Sequence, residues 1–402
     1  MNIADAMQRR GPLAPDHSVL PTLVLNARGH IASAPANVRN IYLLDNRKKG
    51  RVRYNSFAHH VTMDGQRLDD TWEMRESLWL ADVYGMSVKP KEVGEVLRFI
   101  GQSDIYHPVQ EYLAALPAWE GKTSIDSLFT KYFGAEDGGA IRSYGRKMMI
   151  GAVARAMMPG CKLDNMVILS GPQGAGKSRG VRALAPTWFS DAPLQIGDRD
   201  AVLALHNVWL YEVAELDSFR GRAAQKIKAF LSTQSDRYRG VYSRHYTMSH
   251  RSCIFVGTTN EERFLRDSTG NRRFWPVQIG AKVDVDGIER DRAQLWAEAY
   301  QAYLKQEQWH LTDDEMKDLL RDQEVHIEID PWTYPVLDFM ESPKQLLTPP
   351  RMDEILEAVG VEHGRQDKRA MLRVSDILTQ HGYRSRQTRR PNGKRPKCWS
   401  KA

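Results

Sequence analysis

The sequence predicts an α/β fold with a parallel sheet, and three apolar segments carry this prediction. Residues 166–169 lead into a glycine-rich loop and then into a helical segment, as a buried strand before a helix would. Residues 208–214 and 253–257 are two further apolar runs, and each ends at acidic or polar residues. Short apolar runs of this kind are typical of strands buried in a parallel sheet. We therefore expect these three segments to be strands of one sheet.

The loop after the first strand fits the phosphate-binding pattern G-x-x-x-x-G-K-[ST]. Its glycines allow a tight turn, so that backbone N–H groups and the next helix N-terminus point at phosphate oxygens. We expect Lys177 to reach the β- and γ-phosphates of a nucleotide and Ser178 to supply a hydroxyl to Mg²⁺. A glycine-rich turn that matches by chance is the alternative, and the strand and helix around the loop disfavour it. The loop consists of Gly171, Pro172, Gln173, Gly174, Ala175, Gly176, Lys177 and Ser178.

The second strand ends near two acidic residues, Glu212 and Glu215. A Mg²⁺ ion beside a phosphate loop requires a carboxylate at the carboxyl end of a neighbouring strand, and both residues qualify. Strand residues three apart face opposite sides, so only one of them faces the metal unless the strand has already ended. We assign Glu212 to the metal and Glu215 to the attacking water, and the opposite assignment stays open.

Two further segments carry candidate catalytic side chains. The third strand ends in Thr258-Thr259-Asn260, and Asn260 is the candidate for holding the attacking water against the γ-phosphate. Arg272 and Arg273 follow in a predicted loop and are candidates for reaching a transferring phosphoryl group on a neighbouring subunit. Two solvated loop arginines are the equally weighted alternative.

Residues 235–252 interleave basic and aromatic side chains, a composition suited to backbone contact and base stacking on single-stranded nucleic acid. A polar hairpin whose arginines pair with nearby acids is the alternative. The candidate DNA-contacting residues in this segment are Arg237, Arg239, Arg244, His245 and Arg251.

The last 58 residues combine positive charge with a helix, helix, hairpin pattern. Residues 345–402 contain 13 Lys or Arg and 6 Asp or Glu, so this segment alone accounts for the formal charge of +7. Helical patterns over residues 352–359 and 368–381 precede two extended segments joined at Asn392-Gly393, a strong hairpin signal. This order predicts a winged-helix domain that binds duplex DNA through its phosphates. Its candidate contact residues are Lys368, Arg369, Arg373, Arg386, Arg389, Arg390, Lys394 and Arg395.

The chain of 402 residues is long enough for several domains. Residues 1–120 predict an α+β accessory domain with no evident chemistry, in which His59, His60 and His107 have surface or packing roles. Residues 121–330 predict the P-loop core with a helical lead-in, residues 331–344 a proline-rich linker, and residues 345–402 the basic domain.

Composition excludes several classes of protein. Hydrophobic residues make up 42% of the chain and charged residues 27%, as is usual for globular proteins in solution. The three cysteines are odd in number and widely spaced, which argues against a disulfide framework or a zinc site. No apolar run approaches the roughly 20 residues that cross a bilayer, and the N-terminus lacks a signal-like apolar region. We expect a cytoplasmic protein without membrane contact.

The ordered set of segments resembles the virulence-associated E family of phage and mobile-element proteins, over roughly residues 100–310. This family is similar to superfamily 3 helicases, which are hexameric AAA+-type motors for replication of phages, satellites and plasmids. The segments that carry the resemblance are Pro159-Gly160, the phosphate loop and residues 209–217, 236–242, 257–260 and 270–276.

The resemblance implies an AAA+-like ATPase core of the superfamily 3 helicase type, with ATP and Mg²⁺ as cofactors. It implies Walker A roles for Lys177 and Ser178, a sensor 1 role for Asn260, and a DNA-tracking hairpin over residues 238–251. It also places Glu212 and Glu215 in the Walker B region and makes Arg272 or Arg273 an arginine finger. Superfamily 3 members usually have adjacent acids at Walker B, whereas Glu212 and Glu215 lie three apart, which leaves their division of labour open.

The function that we expect is an ATP-driven, ring-forming DNA helicase, a homohexamer that replicates a phage or mobile element in a bacterial host. Residues 1–120 lack a primase-like acidic motif, so any priming would come from a separate primase. One alternative is a DNA-stimulated switch ATPase, at an origin or in phage interference, that does not unwind DNA. Another is a winged-helix transcription regulator with a vestigial P-loop, which the intact Lys177-Ser178 pair and both acids argue against.

Overall fold

The computed structural model describes residues 14–68, 71–194, 196, 200–214, 222–238, 246–265, 271–326, 330–343, 345, 348–387 and 396–401. Within these residues the helices are α1 (Pro35–Leu44), α2 (Trp72–Tyr84), α3 (Pro90–Gly101), α4 (Pro108–Ala114), α5 (Gly139–Met157), α6 (Lys177–Leu184), α7 (Asp200–Leu203), α8 (Arg222–Ser232), α9 (Val285–Leu304), α10 (Asp313–His326), α11 (Thr333–Met340), α12 (Met352–Ala358) and α13 (Lys368–Gln380). The strands are β1 (Val52–Asn55), β2 (His60–Met63), β3 (Gln66–Arg67), β4 (Ile105–Tyr106), β5 (Met166–Ser170), β6 (Phe189–Ser190), β7 (Leu210–Val213), β8 (Ser235–Tyr238), β9 (Thr247–His250), β10 (Ile254–Thr259), β11 (Phe274–Gln278), β12 (Tyr383–Gln387) and β13 (Lys397–Lys401).

The N-terminal domain combines helices with a four-stranded sheet. Its sheet has the order β3-β2-β1-β4, and α1, α2 and α3 pack their apolar side chains into one core. Strands β1 and β2 form a hairpin, in which they are joined by a turn at residues 56–59. In this turn His59 adopts a left-handed φ of 55°.

The central sheet confirms the predicted α/β fold with parallel strands. Its order is β11-β5-β10-β7-β6, and the neighbouring strands all run parallel. Successive strand residues face opposite sides, so Val167 and Leu169 pack with α5 and α9, whereas Met166 and Ile168 pack with α8. Because the strands are parallel, the segments after β5, β7 and β10 meet at one edge of the sheet.

Strand β11 was not predicted from the sequence. Its Pro276 argues against a strand, since proline cannot donate a hydrogen bond to a neighbouring strand. Among the described strands β11 pairs with β5 alone and lies at the edge of the sheet, with Pro276 opposite Ile168 in the register. An edge strand tolerates proline because its second side needs no partner.

The tail forms its own core from α11, α12, α13 and the antiparallel pair β12 and β13. The predicted linker over residues 331–344 is wrong in one respect, because it contains α11, whose Val336 and Met340 are buried in this core. Pro335 does not prevent a helix here, since it lies in the first turn, where backbone N–H groups have no intrahelical acceptor. No described helix is long and apolar enough to cross a membrane.

Candidate nucleotide-binding site

The glycine-rich loop lies between β5 and the N-terminus of α6, at the carboxyl edge of the central sheet. Gly174 and Gly176 have φ values of 80° and 95°, a left-handed conformation in which a side chain would be strained. The loop is anchored by hydrogen bonds from Val283 N to Ala175 O at 2.8 Å and from Gly171 N to Thr259 O at 3.3 Å. The backbone is thus held in a tight turn directly before the helix.

The Lys177 side chain packs against this loop and is only 9% exposed. Its Nζ donates to the carbonyl oxygens of Gly171 at 2.7 Å and Pro172 at 3.0 Å. It also donates to Asn260 Oδ1 at 2.8 Å, which links the loop to the end of β10. The structure therefore brings together Lys177 of the loop after β5 and Asn260 after β10, which are 83 residues apart in the chain.

Glu212 on β7 is 2% exposed and lies beside Ser178. Its Oε1 accepts hydrogen bonds from Ser178 Oγ and from Thr258 Oγ1, both at 2.7 Å. Its Oε2 is buried and has no hydrogen-bond partner among the described residues. A buried carboxylate oxygen without a partner is unfavourable, so this atom is suited to bind a cation.

A Mg²⁺ ion fits this arrangement of oxygen donors. Mg²⁺ prefers carboxylate and hydroxyl oxygens together with phosphates and water. The Ser178 hydroxyl and the Glu212 carboxylate, including its buried Oε2, supply the protein part of such a set. Thr258 was not singled out from the sequence, although it lies in the Thr-Thr-Asn segment at the end of β10. Its hydroxyl orients Glu212 and so supports the candidate metal ligand.

Several predicted residues fall outside the part of the chain that the structure describes. These residues are Glu215, Arg239, Arg244, His245, Arg389, Arg390, Lys394 and Arg395.

Arg272 and Arg273 lie in a short helical turn that leads into β11. Arg272 is exposed, whereas Arg273 is half-buried, donates from Nε to Ser232 Oγ at 3.0 Å, and lies 3.7 Å from an Asp164 carboxylate oxygen. The register pairs Phe274 with Met166, the first residue of β5. The arginines therefore lie at the amino edge of the sheet, about 16 Å along β5 from the phosphate loop at about 3.3 Å per residue.

The antiparallel strands β8 and β9 present an exposed face with both basic and aromatic side chains. The Arg237 guanidinium lies over the Tyr246 ring, 4.4 Å from its centroid, and Tyr246 is 60% exposed. Both side chains are accessible to a ligand.

The structure corrects the prediction that Arg251 contacts DNA. Arg251 is only 4% exposed and makes a bidentate ion pair with Asp236, with nitrogen to oxygen distances of 2.6 and 2.9 Å. Its guanidinium also lies 4.0 Å from the centroid of the Phe230 ring. Arg251 thus fixes the base of the strand pair within the protein.

In the tail, Lys368 and Arg369 are exposed at the start of α13, and Arg386 is exposed on β12. Arg373 differs, because it donates to the two carboxylate oxygens of Asp330 at 2.7 and 2.8 Å and lies 4.0 Å from the Trp332 ring centroid. Its side chain connects α13 to the segment before α11.

The family model of the virulence-associated protein E-like domain matches residues 113–328, more than half of the chain. The chain belongs to this family. The match to the virulence-associated protein E-like domain includes the phosphate loop, Glu212, Asn260 and both arginines of the turn before β11. No curated protein matches the sequence.

Solved structures with weak similarity to this virulence-associated protein E-like chain include regions of NrS-1. The apo structure of the NrS-1 C terminal region (305-718) has 11% identity and a TM-score of 0.48, and the alignment covers 86% of this chain and 95% of that one. The A form apo structure of NrS-1 C terminal region-CTR(305-718) also has 11% identity and a TM-score of 0.48, with 87% and 95% covered.

Proposed function

We propose that the protein is an ATP-dependent, ring-forming DNA helicase that acts in replication of a phage or mobile element. The observation that carries the proposal is the geometry of Glu212, whose one oxygen accepts from Ser178 and Thr258 while its other oxygen is buried without a described partner. This geometry suits a Mg²⁺ ion beside a phosphate loop, as the hydrolysis of a nucleoside triphosphate requires.

The residues around the loop have distinct roles in this proposal. Lys177 exchanges the carbonyl oxygens of Gly171 and Pro172 for β- and γ-phosphate oxygens and releases Asn260. The Asn260 side chain then orients the attacking water. Ser178 and Glu212 hold Mg²⁺, which neutralises charge on the phosphates when it is bound. Glu215 is proposed as the second acid, which orients that water.

The position of Arg272 supports a ring of subunits. It lies at the opposite edge of the sheet from the phosphate loop of its own chain, so it reaches a γ-phosphate only on a neighbouring copy. We propose that AAA+-like cores associate head to tail, as a hexamer, and that each nucleotide site is completed across an interface.

Two surfaces are proposed to contact DNA. The exposed Arg237 on β8 and Tyr246, directly before β9, offer a cation and a stacking ring to a single strand in the ring channel. The tail, with three helices followed by a two-stranded sheet, is proposed as a winged-helix domain in which Lys368, Arg369 and Arg386 contact phosphates of a duplex. A separate primase is proposed to supply any primers.

A strand-displacement assay on forked DNA tests the helicase directly. We expect separation of the strands with ATP and Mg²⁺, and none with the Lys177→Ala variant or without Mg²⁺. DNA-stimulated hydrolysis without strand separation would favour the switch ATPase instead. Absence of hydrolysis in the wild-type protein, with and without DNA, would refute both activities.

A further inference from the structure

The turn between β1 and β2 anchors the N-terminal domain to the central core. Phe57 in this turn is 4% exposed and belongs to the same hydrophobic cluster as Val109 and Leu113 of α4 and the central strands. Its carbonyl oxygen accepts a hydrogen bond of 3.0 Å from the backbone N–H of Asn207, in the turn before β7. The turn is therefore part of the interior where the domain and the core meet.

His59 extends from this turn onto both strands of the β8–β9 pair. Its Nε2 lies 2.9 Å from Ser249 Oγ on β9, and its ring centroid lies 6.0 Å from that of Tyr238 on β8. Ser249 is buried, whereas Thr247, Met248 and His250 of the same strand are exposed. The N-terminal domain thus contacts the inward face of the strand pair.

His206 completes this contact from the turn that precedes β7. Its ring centroid lies 4.4 Å from that of His59 and 4.8 Å from that of Tyr238. Burial lowers the pKa of His206 to about 4 and also lowers the pKa of His59, so that both rings pack without charge at neutral pH. We call His59, His206, Tyr238 and Ser249 the histidine joint.

A strand pair of this kind depends on its surroundings for a fixed orientation, because an isolated two-stranded hairpin is only marginally stable in water. Arg251 pairs with Asp236 of β8 and donates to the carbonyl oxygen of Phe230 on α8, which holds the base of the β8–β9 pair to the core. The histidine joint holds the same pair from the side of the N-terminal domain. Together these contacts restrict the direction in which β8 and β9 present Arg237 and Tyr246.

We propose that His59 is a positioning residue through which the N-terminal domain sets the orientation of β8 and β9 for DNA. This inference rests on the proposed DNA function of that strand pair. It gives the N-terminal domain, which carries no evident chemistry of its own, a part in the response of the ATPase to a bound strand.

Hydrogen exchange tests the positioning without DNA. In the full-length His59→Ala variant, the amides of residues 235–238 and 247–250 should exchange faster than in the wild-type protein. The matched control is His60→Ala. His60 is also half-buried, but its Nδ1 lies 3.1 Å from the carbonyl oxygen of Ala58, in the turn between β1 and β2. Unchanged exchange in His59→Ala would overturn the proposal.

The functional consequence is measured by ATP hydrolysis with increasing single-stranded DNA. His59→Ala should raise the DNA concentration for half-maximal stimulation about 10-fold, with DNA-free hydrolysis unchanged. Ser249→Ala should give a similar shift. The double variant should be no worse than His59→Ala, because both changes remove the same hydrogen bond between His59 and Ser249. Loss of DNA-free hydrolysis in His59→Ala would indicate a general structural role and overturn the proposal.

The two readouts separate this inference from the helicase proposal. Faster exchange in His59→Ala, together with a wild-type protein that does not respond to DNA, would refute the DNA function and leave the positioning of β8 and β9 standing. A wild-type protein that responds to DNA, with His59→Ala identical to it, would refute the role of His59 alone.

Discussion

Lys177 Nζ lies 2.8 Å from Asn260 Oδ1, so the cation of the phosphate loop is paired with the polar side chain that follows β10. The same ammonium group is held by the carbonyl oxygens of Gly171 and Pro172. Phosphate binding must therefore compete with these hydrogen bonds of Lys177. In the proposed mechanism this exchange couples nucleotide binding to release of Asn260.

Replacement of Glu212 by glutamine should separate stability from activity. The change removes a buried negative charge while an acceptor oxygen stays available to Ser178 and Thr258, so the melting temperature without Mg²⁺ should rise. Mg²⁺-dependent ATP hydrolysis should fall by about 10²-fold or more, since a proposed metal ligand loses its charge. Thermal unfolding and hydrolysis are measured with and without Mg²⁺.

Thr258→Val is the control for this change, because it removes a hydrogen bond to Glu212 and leaves the carboxylate in place. It should weaken Mg²⁺ dependence less than Glu212→Gln does. Full activity of Glu212→Gln at every Mg²⁺ concentration would exclude Glu212 as the metal ligand.

The exposed and the ion-paired basic residues of the tail should differ in a salt titration. Replacement of both Lys368 and Arg369 by alanine should weaken duplex binding and reduce the slope of log K against log salt by about 1.8, or about 0.9 for each lost phosphate contact. Arg373→Gln should leave that slope unchanged and lower the melting temperature, because Arg373 pairs with Asp330. The opposite pattern would reject the proposed contact surface.

Arg272 should act across a subunit interface and Arg273 within its own chain. Arg272→Ala should reduce the hydrolysis rate by about 10³-fold with little loss of ATP binding. Mixing this inactive variant with Lys177→Ala should restore activity, since some interfaces then pair an intact loop with an intact arginine. Arg273→Ala should instead lower thermal stability, because Arg273 contacts Ser232 and lies near Asp164.

Mass measurement shows whether the two variants have formed mixed assemblies. Mixed assemblies that form and stay inactive would show that Arg272 does not complete a neighbouring site. The roles of the two arginines would be reversed if Arg273→Ala were inactive alone and regained activity when mixed with Lys177→Ala.

The protein should lose stability as the pH falls from about 6.5 towards 4. Burial lowers the pKa of His107 to about 4 from its ordinary 6.5, so in this range the unfolded chain binds a proton that the folded chain does not. The free energy of unfolding should then fall by up to about 1.4 kcal/mol per pH unit for this residue. Melting temperatures at pH 7 and pH 5 measure the effect.

His107→Phe should reduce this pH dependence, because the new ring keeps the contact with Phe57 without a titratable group. The exposed His30 provides the control, and His30→Ala should retain the wild-type dependence. If the melting temperature changed between pH 7 and pH 5 by the same amount in His107→Phe as in the wild type, the assignment to His107 would be contradicted.

The sequence was informative where chemistry dictates a local pattern. Lys177, Glu212 and Asn260 follow from strands that end in specific polar residues, and in the structure all three lie near the same edge of the sheet. The short apolar runs were enough to predict β5, β7 and β10. Their order in the sheet was not predictable, because pairing depends on contacts between segments far apart in the chain.

Other features depend on burial, which a single sequence does not reveal. Arg251 belongs to a basic, aromatic segment like that of a nucleic-acid surface, but Asp236 and the Phe230 ring occupy its guanidinium. β11 was hidden by Pro276, which only the edge position allows. Thr258 gains its significance from a buried Glu212 that lies 46 residues earlier.

The separation of Arg272 from the phosphate loop gives each chain a front and a back. A twofold dimer would bring like edges together and leave its sites incomplete, whereas a circle of chains joins unlike edges at every junction. In the proposed circle each hydrolysis event belongs to two neighbours, and one copy lacking Arg272 silences its neighbour's site while its own loop stays functional. Each such defect would then affect the site of the neighbour on one side only.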